Sequence, residues 1–175
     1  MKNIFITGGN RGIGKGLVEI FCENYKVFFS AREESKARSV IESIENENIS
    51  YVIMDVADEQ SVLKGIGSLK EKTDSIDILI NNAGILIPGL KHKIDAIKTD
   101  DESILKTFNI NTVGVLRVCK AVLPIMPVSS RIINISSGMG QMEGMATGSI
   151  AYRLSKSALN ALTIVLSQEL SSKDI

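Results

Sequence analysis

Five short apolar runs rich in β-branched and aromatic residues recur along the chain: Asn3 to Thr7, Lys26 to Ser30, Tyr51 to Met54, Ile76 to Asn81 and Arg131 to Ser136. Runs of this length with apolar residues at successive positions fit strands covered on both faces. Between them apolar residues recur at helical spacing: Ile13, Leu17, Ile20 and Phe21; then Val40, Ile41 and Ile44; then Val62, Leu63, Ile66 and Leu69. A longer helical stretch runs from about Asp101 to Leu123, where Pro124 and Pro127 end it, and the last runs from near Ile150 to Leu170. Strand and helix in regular alternation predict an α/β architecture: a doubly wound parallel sheet between two helical layers.

In such sheets ligands bind outside the carboxyl ends of the strands. The first strand runs directly into TGGNRGIG, Thr7 to Gly14, in which Gly8, Gly12 and Gly14 join strand to helix. A turn of this kind brings backbone amides and a helix dipole to a pyrophosphate with no side chain in the way. The spacing is wider than GxGxxG, so its place after an apolar strand strengthens the reading. Sites that hold NAD often end the second strand on a carboxylate, but here the residues are Ser30, Ala31 and Arg32. Arg32 and Arg11 can clasp a 2′-phosphate by charge-assisted hydrogen bonds, which favours NADP(H) over NAD(H). Asp55, closing the third strand, is either an acceptor for the adenine amino group or the N-cap of the next helix. Two further loops, Pro88 to Asp100 and Gly138 to Ser149, also follow strand ends.

Near the other end, AYRLSKSALN places Tyr152 and Lys156 four residues apart, on one face of a helix. An ammonium beside a phenol favours the phenolate, and a proton donor or acceptor is what carbonyl reduction or alcohol oxidation needs when a cofactor carries the hydride. Ser136 and Ser137 precede the pair. A serine hydroxyl can polarise a carbonyl oxygen. Met139, Met142 and Met145 lie between, as a pliable wall beside an apolar substrate or as simple filler beneath a loop.

Composition narrows the alternatives. At 175 residues, 44% apolar and 23% charged, the chain suits one globular domain. Twenty basic residues balance twenty acidic ones, so no overall field draws it to nucleic acid or anionic lipid, and any anion site is local. His92 is the single histidine, expected on a loop surface, which excludes a Ser-His-Asp triad and histidine-rich metal chemistry; no metal is expected. Cys22 and Cys119 lie in helical patterns without CxxC spacing and are expected to be buried free thiols. No secretory leader and no segment long and apolar enough to span a bilayer is read in the sequence, so cytoplasmic residence without membrane contact is expected.

With these segments placed, the sequence resembles the short-chain dehydrogenase/reductase family over essentially its whole length. TGGNRGIG looks like the family's cofactor turn, Asp55-Val56 like its adenine-contact pair, and Asn81-Asn82-Ala83-Gly84 like its NNAG segment. Asn111 in NINTVG is similar to the family's helix asparagine, Ser137 in INISS to its serine, and Tyr152 and Lys156 to its YxxxK pair. The resemblance implies a Rossmann fold over residues 1–175 and an NADP-dependent oxidoreductase acting on the CH–OH group of a small-molecule carbonyl or alcohol. Tyr152 would be the general acid or base and Ser137 would bind the substrate oxygen. Lys156 would tune Tyr152 and hold the nicotinamide ribose, and Asn111 would anchor a water. Ser137 is chosen because the family position is the second of the pair, leaving Ser136 to satisfy local backbone groups. The cofactor residues implied are Gly8, Asn10, Arg11, Gly12, Ile13, Gly14, Arg32, Asp55, Val56, Asn82, Ala83 and Gly84, with Tyr152 and Lys156. YRLSKSALN resembles the carbonyl-reductase and C-factor-like branches.

Family members continue past the equivalent of Ile175 into further strands and a substrate loop, so the chain reads as truncated at its carboxyl end. That departure keeps open a cofactor-binding sensor or scaffold without catalysis, or an inactive fragment, although a protein without catalysis has no chemical need for Ser137, Tyr152 and Lys156 together. The last helix carries Ala158, Leu159, Ala161, Leu162, Val165 and Leu166. The resemblance implies a homodimer or homotetramer formed through this helix and the Asp101 to Leu123 stretch, but burial within one subunit would give the same pattern.

Overall fold

The computed structural model describes residues 1–87 and 96–175. His92 and the first part of the Pro88 to Asp100 loop lie outside the described residues. Five parallel strands, β1 (Asn3–Ile6), β2 (Lys26–Ala31), β3 (Ile49–Ile53), β4 (Ile78–Asn81) and β5 (Arg131–Asn134), lie in the order β3-β2-β1-β4-β5. The order reverses at β1, the point where an open α/β sheet forms its ligand crevice. All five match the predicted runs to within a few residues.

Alternation along each strand divides the core between the two faces of the sheet. On one face Ile4, Ile6, Val27, Phe29 and Ile80 meet Val18 of α1 (Gly12–Phe21), Cys22 at its C-cap, and Ala37 and Val40 of α2 (Glu34–Ile44). On the other, Phe5, Phe28, Val52 and Leu79 meet α3 (Glu59–Lys70), α5 (Gly114–Val122) and Leu159 of α6 (Ile150–Glu169). The fold is the doubly wound, Rossmann-like three-layer sandwich that the alternation predicts. Phe5 and Phe29 are both fully buried, each worth about 1.5–3 kcal/mol relative to exposure. The two thiols are buried as expected.

Three features differ from the sequence reading. β5 is not covered on both faces: Ile133 is 44% exposed, because β5 is a sheet edge paired only with β4 among the described strands. In α1 the buried stripe is Gly14, Val18 and Cys22, while Ile13 and Ile20 face outward. Gly14 sets this rotation, since a Cβ there would stand 2.3 Å from the Gly8 carbonyl oxygen.

The third concerns Asp101 to Leu123. α4 (Asp101–Phe108), a π-helical turn (Asn109–Val113), α5 and a 3-10 turn (Leu123–Ile125) form one run, with Pro124 in the opening turn of the last piece, where a missing N–H is tolerated. Asp101–Ile125 is thus 25 residues long with mean hydropathy 1.2 in its most apolar window, enough by length and composition to cross a bilayer, contrary to expectation. The apolar residues of α5 have another use: Val115, Val118 and Val122 are buried against the sheet, as in a core helix.

Candidate functional site

A cleft of about 790 Å³ opens at the carboxyl ends of β1, β2 and β4. Its glycines are required by backbone conformation at two positions and by close approach at a third. Gly8 and Gly12 adopt φ of +67° and +54°, and a Cβ on Gly14 would lie 2.5 Å from Asn82 Nδ2. Arg11, at the N-cap of α1, makes no side-chain cap and the first turn holds no acid, so the amides and dipole of this helix end remain available to an anion.

β4 braces the turn. The Thr7 hydroxyl accepts the backbone N–H groups of Asn82 and Ala83, each at 3.0 Å, and Asn82 Nδ2 donates to the carbonyls of Thr7 and Gly8 at 3.0 and 3.1 Å. Gly8 N–H donates to Ser30 Oγ at 3.1 Å, tying in β2. Neighbouring Asn81 donates to Asn134 Oδ1 at 2.9 Å, while its own buried Oδ1 has no partner.

Every predicted cofactor residue from Gly8 through Gly84 lines this cleft, including Arg11 and Arg32; Tyr152 and Lys156 do not. Asp55 lines it too and is not an N-cap. Its Oδ1 accepts Ala57 N–H at 2.9 Å, and the cap of α3 is Asp58, which accepts Ser61 N–H at 3.1 Å. Lys36 and Glu33 also line the cleft and were missed in the sequence. The available signal was proximity in sequence: Lys36 stands four residues after Arg32.

The other predicted residues gather beside α6. Lys156 Nζ lies 5.7 Å from the centre of the Tyr152 ring and donates to the Ile135 carbonyl at 2.7 Å. Burial pushes the ammonium below its usual pKa by penalising charge. The turn Gly138–Gly140 is pressed onto the same helix: a Cβ on Gly140 would stand 2.7 Å from the Lys156 carbonyl carbon. Its carbonyl accepts from Ser157 Oγ and Asn160 Nδ2 at 3.0 and 3.2 Å. Ser137 lies in the segment between Ile135 and Gly140, both of which contact Lys156.

The serines differ from expectation in their partners. Ser136 does not satisfy local backbone; its hydroxyl donates to Asn160 Oδ1 at 2.6 Å. Ser137 Oγ accepts Met139 N–H at 3.2 Å, which leaves its own O–H to donate elsewhere. Of the three methionines, Met142 is largely exposed and fills no space beneath the loop.

Asn111 is fully buried within the π-helical turn. Its Oδ1 accepts Ile85 N–H at 2.8 Å, and its Nδ2 donates to the Ile85 carbonyl at 2.9 Å and Ser155 Oγ at 3.0 Å. Ser155 Oγ in turn donates to the Tyr152 carbonyl at 2.8 Å. The side chain therefore locks the segment after β4 to α6, with both amide hydrogens of Asn111 engaged. Arg153, also missed, is buried and donates to the Gly148 carbonyl at 2.9 Å, holding the left-handed bend at Gly148 and Ser149 that leads into α6.

Gly84 joins the two regions. It lines the cleft, and a Cβ there would stand 3.2 Å from Asn111 Oδ1 and 3.8 Å from Lys156 Nζ.

The chain is similar in sequence and fold to known proteins. An oxidoreductase from Botryotinia fuckeliana is 33% identical over 171 residues, covering 96% of this chain and 60% of that protein. Carbonyl reductase 1 of Bos taurus, named for NADPH, is 30% identical over 141 residues, 75% of this chain and 47% of the relative. The crystal structure of an NADPH-bound carbonyl reductase from chicken fatty liver superposes with a TM-score of 0.87 at 26% identity, covering all of this chain and 73% of the other. The chain thus spans 60% and 47% of the two relatives' lengths. The sequence model of the short chain dehydrogenases matches residues 2–175, and the chain belongs to that family of oxidoreductases.

Proposed function

We propose that the chain carries the cofactor-binding and proton-transfer machinery of an NADP(H)-dependent carbonyl reductase or alcohol dehydrogenase. The junction at Gly84 carries the reading, because it brings the cleft to within contact distance of Lys156. A nicotinamide dinucleotide fits the cleft. Glycines cradle its pyrophosphate at the open end of α1, Asp55 and Val56 face the adenine end, and Arg11 and Arg32 supply positive charge for a 2′-phosphate. When bound, the cofactor supplies a hydride to the carbonyl carbon.

The remaining chemistry belongs to the chain. Tyr152 passes its phenolic proton to the carbonyl oxygen during reduction and takes it back in the reverse direction. Ser137 donates its free O–H to the same oxygen, stabilising the charge that develops there. Lys156, an ammonium in a buried site, stabilises the phenolate left on Tyr152 and offers hydrogen bonds to the nicotinamide ribose. Asn111 and Ser155 hold the Tyr152 backbone in place. The carbonyl-reductase names of two similar proteins support this reaction class.

The test is turnover by the whole protein. NADPH consumption is followed with a panel of ketones, aldehydes and quinones, in the wild type and in Tyr152→Phe. Turnover in the wild type that vanishes in Tyr152→Phe supports the assignment. Saturable NADPH binding without turnover of any carbonyl or alcohol would favour a cofactor-binding protein instead.

A further inference from the structure

The segment that carries Ser137 leaves the sheet at its edge. Its last backbone bond to β4 runs from Ile135 N–H to the Asn81 carbonyl at 2.9 Å, and among the described residues no strand lies on the other side of β5. Beyond that point the holding contacts come from α6. Lys156 Nζ donates to the Ile135 carbonyl at 2.7 Å and Ser157 Oγ to the Gly140 carbonyl at 3.0 Å. Asn160 makes two bonds: its Oδ1 accepts from Ser136 Oγ at 2.6 Å and its Nδ2 donates to the Gly140 carbonyl at 3.2 Å. Because that carbonyl can only accept, the amide must turn its nitrogen there, which leaves its oxygen for the Ser136 hydroxyl. Within the loop, Gly140 N–H donates to the Ser137 carbonyl at 2.9 Å and Met139 N–H to Ser137 Oγ at 3.2 Å. Asn160 alone among these α6 side chains hydrogen-bonds on both sides of Ser137.

We infer that Asn160 is a positioning residue for the reaction, clamping the Ser137 loop onto α6 so that Ser137 and Tyr152 keep a fixed relation. This rests on reading Ser137 as a hydrogen-bond donor to the substrate oxygen. Tyr152 and Ser137 must meet that one oxygen, the first from a helix and the second from a loop, and both bonds form well only if helix and loop hold their separation. Tyr152, Lys156 and Asn160 recur at intervals of four along α6 and so share one face of it. The serine side chain has a single carbon–carbon torsion, so the loop backbone decides where its Oγ stands. A planar amide engaged at both ends resists sliding and rotation of the loop, which the single-point contacts of Lys156 and Ser157 each permit. Asn160 does not line the cofactor cleft, so its effect reaches the reaction through Ser137 and not through cofactor binding.

The experiment is a double-mutant cycle on the whole protein: kcat for a reduced carbonyl, and NADPH affinity by nicotinamide fluorescence, in the wild type, Asn160→Ala, Ser137→Ala and the double variant. Ser137→Ala is expected to lower kcat by about 10²-fold, the scale of a lost donor to the developing oxyanion. Asn160→Ala is expected to lower kcat by about tenfold through misplacement of that donor, with NADPH affinity unchanged. In the Ser137→Ala background the Asn160 change should alter kcat by less than about twofold, because the group it positions is already gone. Ser136→Ala removes only one of the two bonds and should show the same dependence on Ser137 with a loss of about threefold, which provides the cycle if Asn160→Ala does not fold. Equal losses in the two backgrounds overturn the inference, since a general loosening of α6 acts whether or not Ser137 is present. A fall in NADPH affinity that parallels kcat overturns it as well. Full kcat in Ser137→Ala, or a wild type that turns over no carbonyl, overturns the reading of Ser137 and this inference with it.

Discussion

Around the cleft β1 is buried from Ile4 to Ile6, each at 0% exposure, while beside Tyr152 and Lys156 β5 leaves Ile133 44% exposed. The cleft is built from backbone: glycine turns, amide donors on the Thr7 hydroxyl, and a helix end left open. The Tyr152 region is built from side chains crossing between elements, with Asn111 on Ser155, Ser136 on Asn160 and Lys156 on the Ile135 carbonyl. Each segment lining the cleft is a short contiguous stretch at a strand end, and the segments meet near the centre of the sheet. A side-chain site requires several distant segments to arrive together, and here it lies at the sheet edge. On the outer side of α6, Ile164 and Val165 are also substantially exposed.

The comparison can be broken most sharply at the chemistry. Tyr152→Phe is expected to lower kcat by about 10²- to 10⁴-fold, the scale of a lost general acid, while NADPH affinity is retained. A parallel loss of affinity would show that the two regions are not separable. Next in size is a pair of glycines, one in each region. Gly14→Ala and Gly140→Ala both drive a Cβ into backbone, against the Gly8 carbonyl at 2.3 Å and the Lys156 carbonyl carbon at 2.7 Å. Each should cost about 1–3 kcal/mol in a denaturant titration. Gly14→Ala should mainly abolish cofactor binding and Gly140→Ala mainly reduce kcat; identical phenotypes would contradict the division.

A pH experiment probes the core that both regions share. Burial pushes the Cys119 thiol from 9.0 up to about 11, so above pH 9 the native state retains a proton that the unfolded chain releases. Stability therefore falls as pH rises through the window from 9 to 11, by about 2 kcal/mol for this thiol. Cys119→Ala should flatten that part of the slope, whatever its effect at neutral pH. Lys156 works in the opposite direction. Its lowered pKa means that the native state binds its proton less tightly than the unfolded chain, a penalty present at neutral pH and relieved as pH rises toward 10.5. Comparing slopes between wild type and Cys119→Ala isolates the thiol. The smallest effect is expected on the exposed face of α2, where Glu34→Gln breaks a pair with Arg38 and should change stability by at most about 0.5 kcal/mol in the same titration.

The cleft was nearly all legible beforehand, because TGGNRGIG and Asn82-Ala83-Gly84 are contiguous and their function is carried by backbone geometry. Lys36 escaped, since a lysine in the first turn of a polar helix face is indistinguishable in sequence from a solvated one. At the other site, Tyr152 and Lys156 could be paired from helical spacing alone. The actual partners of Ser136 and Asn111 could not, because they lie 24 residues away for the one and 26 and 44 for the other, and only folding selects among them.

What the sequence determined alone follows from local periodicity: five strands, their alternation with helices, and the glycine turn at the first crossover. These depend on spacing within a few residues, which the chain displays directly. Tertiary structure decided which face of α1 is buried, because Gly14 approaches Gly8 and Asn82 too closely for any other rotation. It likewise decided that the helical run from Asp101 holds a π-helical turn at Asn109–Val113, and that Gly84 joins the cleft to Lys156. Those outcomes depend on distances between segments far apart in sequence, which are fixed only when the sheet and its two helical layers close on one another.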